Sequence, residues 1–269
     1  MAANPQVSPS CLELEVLETS ALEDLARVSQ VIGSVRQLGV KFALDDFGTG
    51  YSSLAYLKRL SVTQLKIDQT FVRDMLDDPD DLAILDAVLG LCVSFRLQVI
   101  AEGVETIEHG EMLLQLGCEL AQGYGISRPM PAEKMPEWAA HWRPDPVWRN
   151  LTQVSRELLP LLFAGVEHRA WVLAMGKYLK GQVDAPPPLD HQLCRFGQWL
   201  HSAERTRNDV RAAFAGIEAL HRQVHALANE LCDMRALGFN ELALTRLGEL
   251  HALRDRLLAQ LKLLLHVVH

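Results

Sequence analysis

The chain has 269 residues, room for one large domain or two ordinary ones, and its 49% hydrophobic and 22% charged residues are the balance of a soluble globular protein. A formal net charge of −8 argues against a general binder of DNA or RNA, and no apolar run is long enough to span a membrane. Met1-Ala2-Ala3-Asn4-Pro5 lacks the basic start and apolar core of a secretion signal. The five cysteines (Cys11, Cys92, Cys118, Cys194 and Cys232) show no framework spacing, so reduced thiols in a cytoplasmic setting are expected.

In chain order, the hydrophobic periodicity predicts a strand at 11–18. A helix follows at 21–38, with Leu22, Leu25, Val28 and Ile32 on one face. A strand at 40–44 and a short helix at 51–60 come next, then a strand at 63–67 and a Leu/Ile/Val-rich helix from near Pro79. A strand at 98–101 precedes a helix at 106–116, and residues 118–122 form a last strand before a helix beginning around Pro131-Ala132-Glu133. About five strand–helix units in succession predict an α/β fold with a parallel sheet over residues 1–142.

Residues 143–150 read as a linker, since Arg143-Pro144-Asp145-Pro146 carries two prolines in four positions. Beyond it, over residues 151–269, strand signals vanish. Long helices are predicted at 151–180, 208–237 and 240–268, and a shorter one at 191–204 follows the Pro186-Pro187-Pro188 loop. Apolar residues recur at helical spacing: Leu161, Val172, Met175 and Leu179; Phe214, Ile217, Val224 and Leu231; Leu247, Leu250, Leu257, Leu261 and Leu264. Four such helices predict an all-α four-helix bundle.

Chemistry-bearing residues collect at the strand ends. The run Lys41 to Leu54 ends an apolar strand in Asp45-Asp46 and continues into a glycine-rich turn. A lone Asp-Asp pair there is most simply an Asx-type turn. The pair has company, however: Glu15, Glu102 and Glu105, with Lys66 and Gln122, fall at the ends of the other strands. On a barrel of parallel strands that face is where active sites assemble. Several acids and one lysine suit two hard cations clamping a phosphoryl group, with Lys66 orienting a water or neutralising developing charge.

These residues resemble those of the EAL-domain cyclic-di-GMP phosphodiesterases. The matching motifs are Leu14-Glu15-Val16-Leu17-Glu18-Thr19-Ser20, Leu44-Asp45-Asp46-Phe47-Gly48-Thr49-Gly50-Tyr51-Ser52-Ser53-Leu54, Leu65-Lys66-Ile67-Asp68, Ala101-Glu102-Gly103-Val104-Glu105-Thr106 and Gln122-Gly123-Tyr124. The resemblance implies a TIM-like (β/α) barrel that hydrolyses cyclic-di-GMP to linear pGpG with Mg2+ or Mn2+. It implies Glu15, Asp45 and Asp46 as metal ligands, Lys66 in contact with the attacking water, and Glu102 on metal or water. Glu105 would brace the loop after Asp46, Gln122 would position metal-bound water, and Arg128-Pro129 would wall the guanine side of the substrate pocket.

The family's Glu-Ala-Leu motif and a later asparagine ligand have no counterpart in this chain. The expectation is therefore an incomplete barrel lacking about three strands, an open edge at the 11–18 strand, and little or no hydrolysis by this chain alone. One alternative places the true start upstream of Met1, with a further sensor or cyclase domain.

In the second half, His221 and His225 lie one turn apart on one helix, beside its apolar stripe. His168 falls in the stripe of Leu161, Val172 and Met175, and Cys194 opens the segment Cys194-Arg195-Phe196-Gly197-Gln198-Trp199. A helix cysteine alone is most often a small buried hydrophobe. Three imidazoles and a thiolate on facing helices instead suit tetrahedral Zn2+. His191, His201, His251, His266 and His269 read as surface residues, and Cys232 as packing. This half resembles the chemoreceptor zinc-binding (CZB) domain, which implies zinc held by His168, Cys194, His221 and His225, and a homodimer. It also implies attachment to receptors or cyclic-di-GMP enzymes. The alternative is a non-enzymatic zinc-binding or dimerisation protein with a remnant barrel.

Overall fold

The computed structural model describes residues 7–49, 54–204 and 211–267, and forms two compact units, one ending at Gln153 and the other beginning at Val154. In the first, a 3-10 turn at Pro9–Cys11 leads into β1 (Glu13–Leu17), α1 (Glu18–Glu23), α2 (Leu25–Arg36) and β2 (Lys41–Phe47). After these come α3 (Leu54–Arg59), β3 (Gln64–Ile67), α4 (Gln69–Asp74), α5 (Pro79–Phe95), β4 (Gln98–Ala101) and α6 (Ile107–Leu116). A 3-10 turn at Ala132–Lys134 precedes α7 (Met135–His141), and α8 (Pro146–Arg149) closes the unit.

The four strands are parallel and lie in the order β1-β2-β3-β4, each crossover carrying helix. The predicted fifth strand is reduced to a single bridge between Ala101 and Ala121, because Gly123 turns the chain back against Val104. The backbone of Gly123 is left-handed (φ 153°), and a Cβ there would overlap the Val104 carbonyl. The predicted helix at 21–38 breaks at Asp24, whose carboxylate caps α2 by accepting from Arg27 N at 3.0 Å. Ile32 anchors α2 at 1% exposure, while the Leu22 side chain lies outside the described residues. The helix predicted over 51–60 is described as α3 from Leu54, and its predicted start at 51, with the rest of 50–53, lies outside the described residues.

Burial across the sheet is uneven. All four residues of β3 are buried, as a central parallel strand requires. By contrast, no residue of β1 is buried, and its Leu14 and Leu17 are exposed along with Leu12 before it. Only β2 flanks β1 among the described residues, so the other edge of β1 carries unpaired backbone groups.

The second unit consists of helices joined by turns: α9 (Leu159–Leu179), α10 (Arg195–Glu204), α11 (Arg211–Ala236), α12 (Asn240–Thr245) and α13 (Leu247–Val267). Pro160 sits in the first turn of α9, so the helix predicted from 151 starts at Leu159. The helix predicted over 240–268 breaks at Arg246. α9 packs on α10, α11, α12 and α13, and α11 packs on α13. Leu161, Val172 and Met175 of α9, Phe214, Val224 and Leu231 of α11, and Leu250 and Leu257 of α13 are each at most 1% exposed. Each fully buried side chain of this kind contributes roughly 1.5–3 kcal/mol. Among the described residues no helix is long and apolar enough to cross a membrane.

Candidate metal centres

The carboxylate centre owes its shape to an irregularity in β2. Side chains alternate faces along a regular strand, so adjacent Asp45 and Asp46 should point apart. Between Leu44 and Phe47 the register with β3 shifts, and Asp46 adopts left-handed backbone (φ 54°), an uncommon conformation for a residue with a Cβ. One oxygen each from Asp45, Asp46 and Glu102, just past β4, then lie within 4.8 Å of one another. The turn after β2 is clamped from α1, since the Gly48 N–H donates to buried Glu18 at 2.9 Å.

Lys66 is the hub. Its Nζ lies 2.8 Å from Glu15, 3.0 Å from Asp45 and 2.6 Å from Glu102, bringing the middle of β1, β2 and the end of β4 onto one ammonium of β3. Burial opposes its charge, but hydrogen bonds to Glu102, Glu15 and Asp45 outweigh that and hold the ammonium protonated above the usual lysine range. Burial raises the pKa of Asp46, and the charges of Asp45 and Asp68 raise it further. Glu102 is also raised by burial, against the opposing pull of Lys66. Three carboxylates thus meet one ammonium with Asp46 close by, an excess of negative charge that a divalent cation relieves. All-oxygen donors are what Mg2+ or Mn2+ prefers.

Glu102 and Gln122 connect this centre to a cleft of about 710 Å³. Gln122 Nε2 donates to Glu102 Oε1 at 2.5 Å, which fixes that carboxylate. Glu105, Arg128, Pro129 and Trp138 also line the cleft, and the Arg128 guanidinium lies 4.7 Å from the centre of the Tyr124 ring. Glu105 is exposed on this wall and stands outside the group of mutually close carboxylates.

The second centre is built from nitrogen and sulfur. One ligand atom each of His168 (α9), Cys194 (just before α10), and His221 and His225 (α11) lie within 4.8 Å of one another. His168 Nδ1 is hydrogen-bonded to the Ala164 carbonyl at 2.7 Å and His225 Nδ1 to the Leu189 carbonyl at 2.8 Å. Donation to a carbonyl leaves the proton on Nδ1 and a lone pair on Nε2. Both Nε2 atoms are buried without a hydrogen-bond partner, a costly state for polar atoms unless something binds them. His221 Nε2 lies 3.2 Å from Cys194 Sγ. Burial drives the His168 pKa down to about 4, and burial with the neighbouring histidines drives His221 down to about 2. The rings are therefore neutral, the form that binds metal. Three imidazoles and one sulfur fit tetrahedral Zn2+.

Residues 2–129 match the EAL domain family, and residues 168–232 match the chemoreceptor zinc-binding domain family. Over 129 residues it is 45% identical to the bifunctional diguanylate cyclase/cyclic di-GMP phosphodiesterase MucR of Pseudomonas aeruginosa, covering 48% of this chain and 19% of that protein. It is 41% identical over 144 residues to the cyclic di-GMP phosphodiesterase NbdA of the same organism, covering 53% of this chain and 18% of NbdA. A solved MucR phosphodiesterase in complex with c-di-GMP is 44% identical, with a TM-score of 0.48 over 49% of this chain and 54% of that one. The chain spans about a fifth of the length of the curated relatives it matches.

Two residues at these centres had no role in the sequence reading. Glu18 of the EAL segment is 3% exposed and ties the Gly48 turn. Its place in the quoted Leu-Glu-Val-Leu-Glu run was the available signal. His191 of the CZB segment, expected at the surface, is only partly exposed and has its ring 6.0 Å from that of His221. The signal was its spacing of three from Cys194. His201 is exposed and His251 is half-buried; His266 and His269 have side chains outside the described residues. Cys232 packs in the core with its Sγ 3.7 Å from Met175 Sδ.

Proposed function

We propose that this protein acts in cyclic-di-GMP signalling: its first unit resembles a phosphodiesterase that binds the dinucleotide in the cleft and hydrolyses it to pGpG at the carboxylate centre, but it lacks the N-terminal part of that barrel in this chain. The observation that carries this reading is the convergence of Glu15, Asp45 and Glu102 on Lys66, with Glu102 also lining the cleft. Asp45, Asp46 and Glu102 would hold Mg2+ or Mn2+, with Glu15 beside them. When bound, such a metal lowers the pKa of water and shields phosphoryl charge. The chain's own residues do the positioning. Lys66, fixed in its charged form, presents hydrogen to the attacking water or the phosphoryl oxygens, and Gln122 keeps Glu102 in place. Arg128 on Tyr124 offers a flat cationic surface to a guanine base or its phosphate.

The second unit would hold Zn2+ on His168, Cys194, His221 and His225, and zinc occupancy would tune the first unit. We further place the protein in the cytoplasm as a homodimer. The deciding experiment follows pGpG formation by the full chain in Mn2+, with and without zinc. Mn2+-dependent turnover that disappears in Lys66→Ala and changes with zinc supports the reading. No turnover, combined with one tightly held zinc per chain, favours a zinc-binding or dimerisation protein with a remnant EAL segment. The exposure of β1 on both faces is the observation on that side.

A further inference from the structure

A short segment before Cys194 is tied to the nitrogen–sulfur centre at successive residues. The Pro188 carbonyl accepts from Trp171 Nε1 at 2.8 Å, and the Trp171 ring lies 4.5 Å from the ring of His225. The Leu189 carbonyl accepts from His225 Nδ1 at 2.8 Å. The Asp190 carboxylate lies 3.8 Å from His191 Nδ1. The His191 carbonyl accepts from Cys194 Sγ at 3.3 Å. Gly197 allows this turn to sit on the start of α10, since a Cβ there would overlap the His191 carbonyl.

Within this segment the His191 ring occupies a distinct place. The rings of His168, His221 and His225 lie 4.7–5.9 Å from one another, and those side chains are 1–3% exposed. The His191 ring is the next one out, 6.0 Å from His221 and 6.3 Å from His225, and its side chain is 28% exposed. It therefore stands between solvent and the inner set.

We propose that His191 is a transfer ligand, which takes zinc from solvent, passes it to His168, Cys194, His221 and His225, and receives it again on the way out. The proposal rests on the zinc reading of that centre. A metal leaving a closed four-coordinate site sheds its ligands one at a time. A fifth donor, the His191 imidazole, within a short shift of the site binds it as each bond breaks. Because that donor is absent from both the bound and the free end states, it speeds uptake and release by the same factor and leaves the affinity unchanged.

The test uses the full chain and zinc itself. Stopped-flow transfer of zinc from the loaded protein to a chromophoric chelator gives the release rate, and mixing zinc with the metal-free protein gives the uptake rate. In His191→Ala and His191→Asn both rates should fall by the same factor, at least about fivefold, with affinity by chelator competition held within about twofold. Co2+ in place of zinc should give the wild-type tetrahedral absorption in both variants. The Asn variant keeps a polar side chain of similar bulk, so it carries the test if the Ala variant misfolds. Unchanged rates in both variants overturn the proposal, and so does faster release with weakened affinity, which would make His191 an equilibrium ligand or a structural support. A wild-type protein that takes up no zinc brings down the zinc reading itself.

Discussion

The two centres keep ligand groups together by opposite means. At the carboxylate centre the charges are retained and balanced: Lys66 faces Glu15, Asp45 and Glu102, and the Glu15 side chain is about half exposed. At the nitrogen–sulfur centre charge is removed instead, since burial holds His168 and His221 neutral and leaves lone pairs facing inward without protons. A salt-bridged set can stand without metal because lysine substitutes for part of the cation's charge. A buried neutral set has no such substitute, so the nitrogen–sulfur centre should depend more steeply on a bound metal and on pH.

The largest expected effect is acid sensitivity of the zinc-free protein. His168 has a folded-state pKa pushed down to about 4, against 6.5 for the free side chain. The unfolded chain therefore takes up a proton first. The contribution is fully present above pH 6.5 and is lost as pH falls through the folded pKa of about 4, amounting to about 3 kcal/mol for this one group. Urea unfolding at a series of pH values, with and without zinc, measures it. Equal slopes for the two forms would erase the contrast between the centres.

Next is His225→Ala, which on the proposed zinc site removes one of four ligands and should weaken zinc binding by more than about a hundredfold, since even outer partners of metal ligands are worth 10–100-fold. Chelator competition reads this, and an affinity near wild type would remove His225 from the set. Lys66→Met should be milder, destabilising the first unit by about 2 kcal/mol. That is below the 3–5 kcal/mol of a wholly buried broken pair, because water reaches Glu15. Mn2+ should restore part of the loss, and thermal melts with and without the ion would show whether a cation replaces the ammonium. The smallest effect is Thr106→Ala, which deletes the side chain that accepts from His109 N at 3.1 Å and caps α6, at about 1 kcal/mol.

Periodicity and motif spacing carried much of this architecture. The alternation of strand and helix over the first half, the apolar stripes of α9, α11 and α13, and the grouping of Lys66 with acids were all readable from residue types. Several features were not. The helix α4 follows β3 directly, with Asp68 as its cap, in a stretch too short for a helical period to stand out. The fifth strand failed because strand propensity at 118–122 lost to the close approach of Gly123 to Val104. His191 looked like a surface residue because nothing local shows that a proline-rich loop folds back over His221 and His225.

By itself, then, the sequence determined which donors this protein possesses and on which kind of element each lies. The doublet Asp45-Asp46, the lysine of Leu65-Lys66-Ile67-Asp68 and the His221–His225 pair are local facts of composition and spacing. Only the tertiary structure decided how the donors face one another. A register shift with left-handed Asp46 turns two adjacent carboxylates toward Glu102, and the packing of α9 against α10 and α11 strips water from three imidazoles. The reason is physical. Ligand geometry and desolvation depend on contacts between residues far apart in the chain, whereas propensity and periodicity report only on neighbours along it.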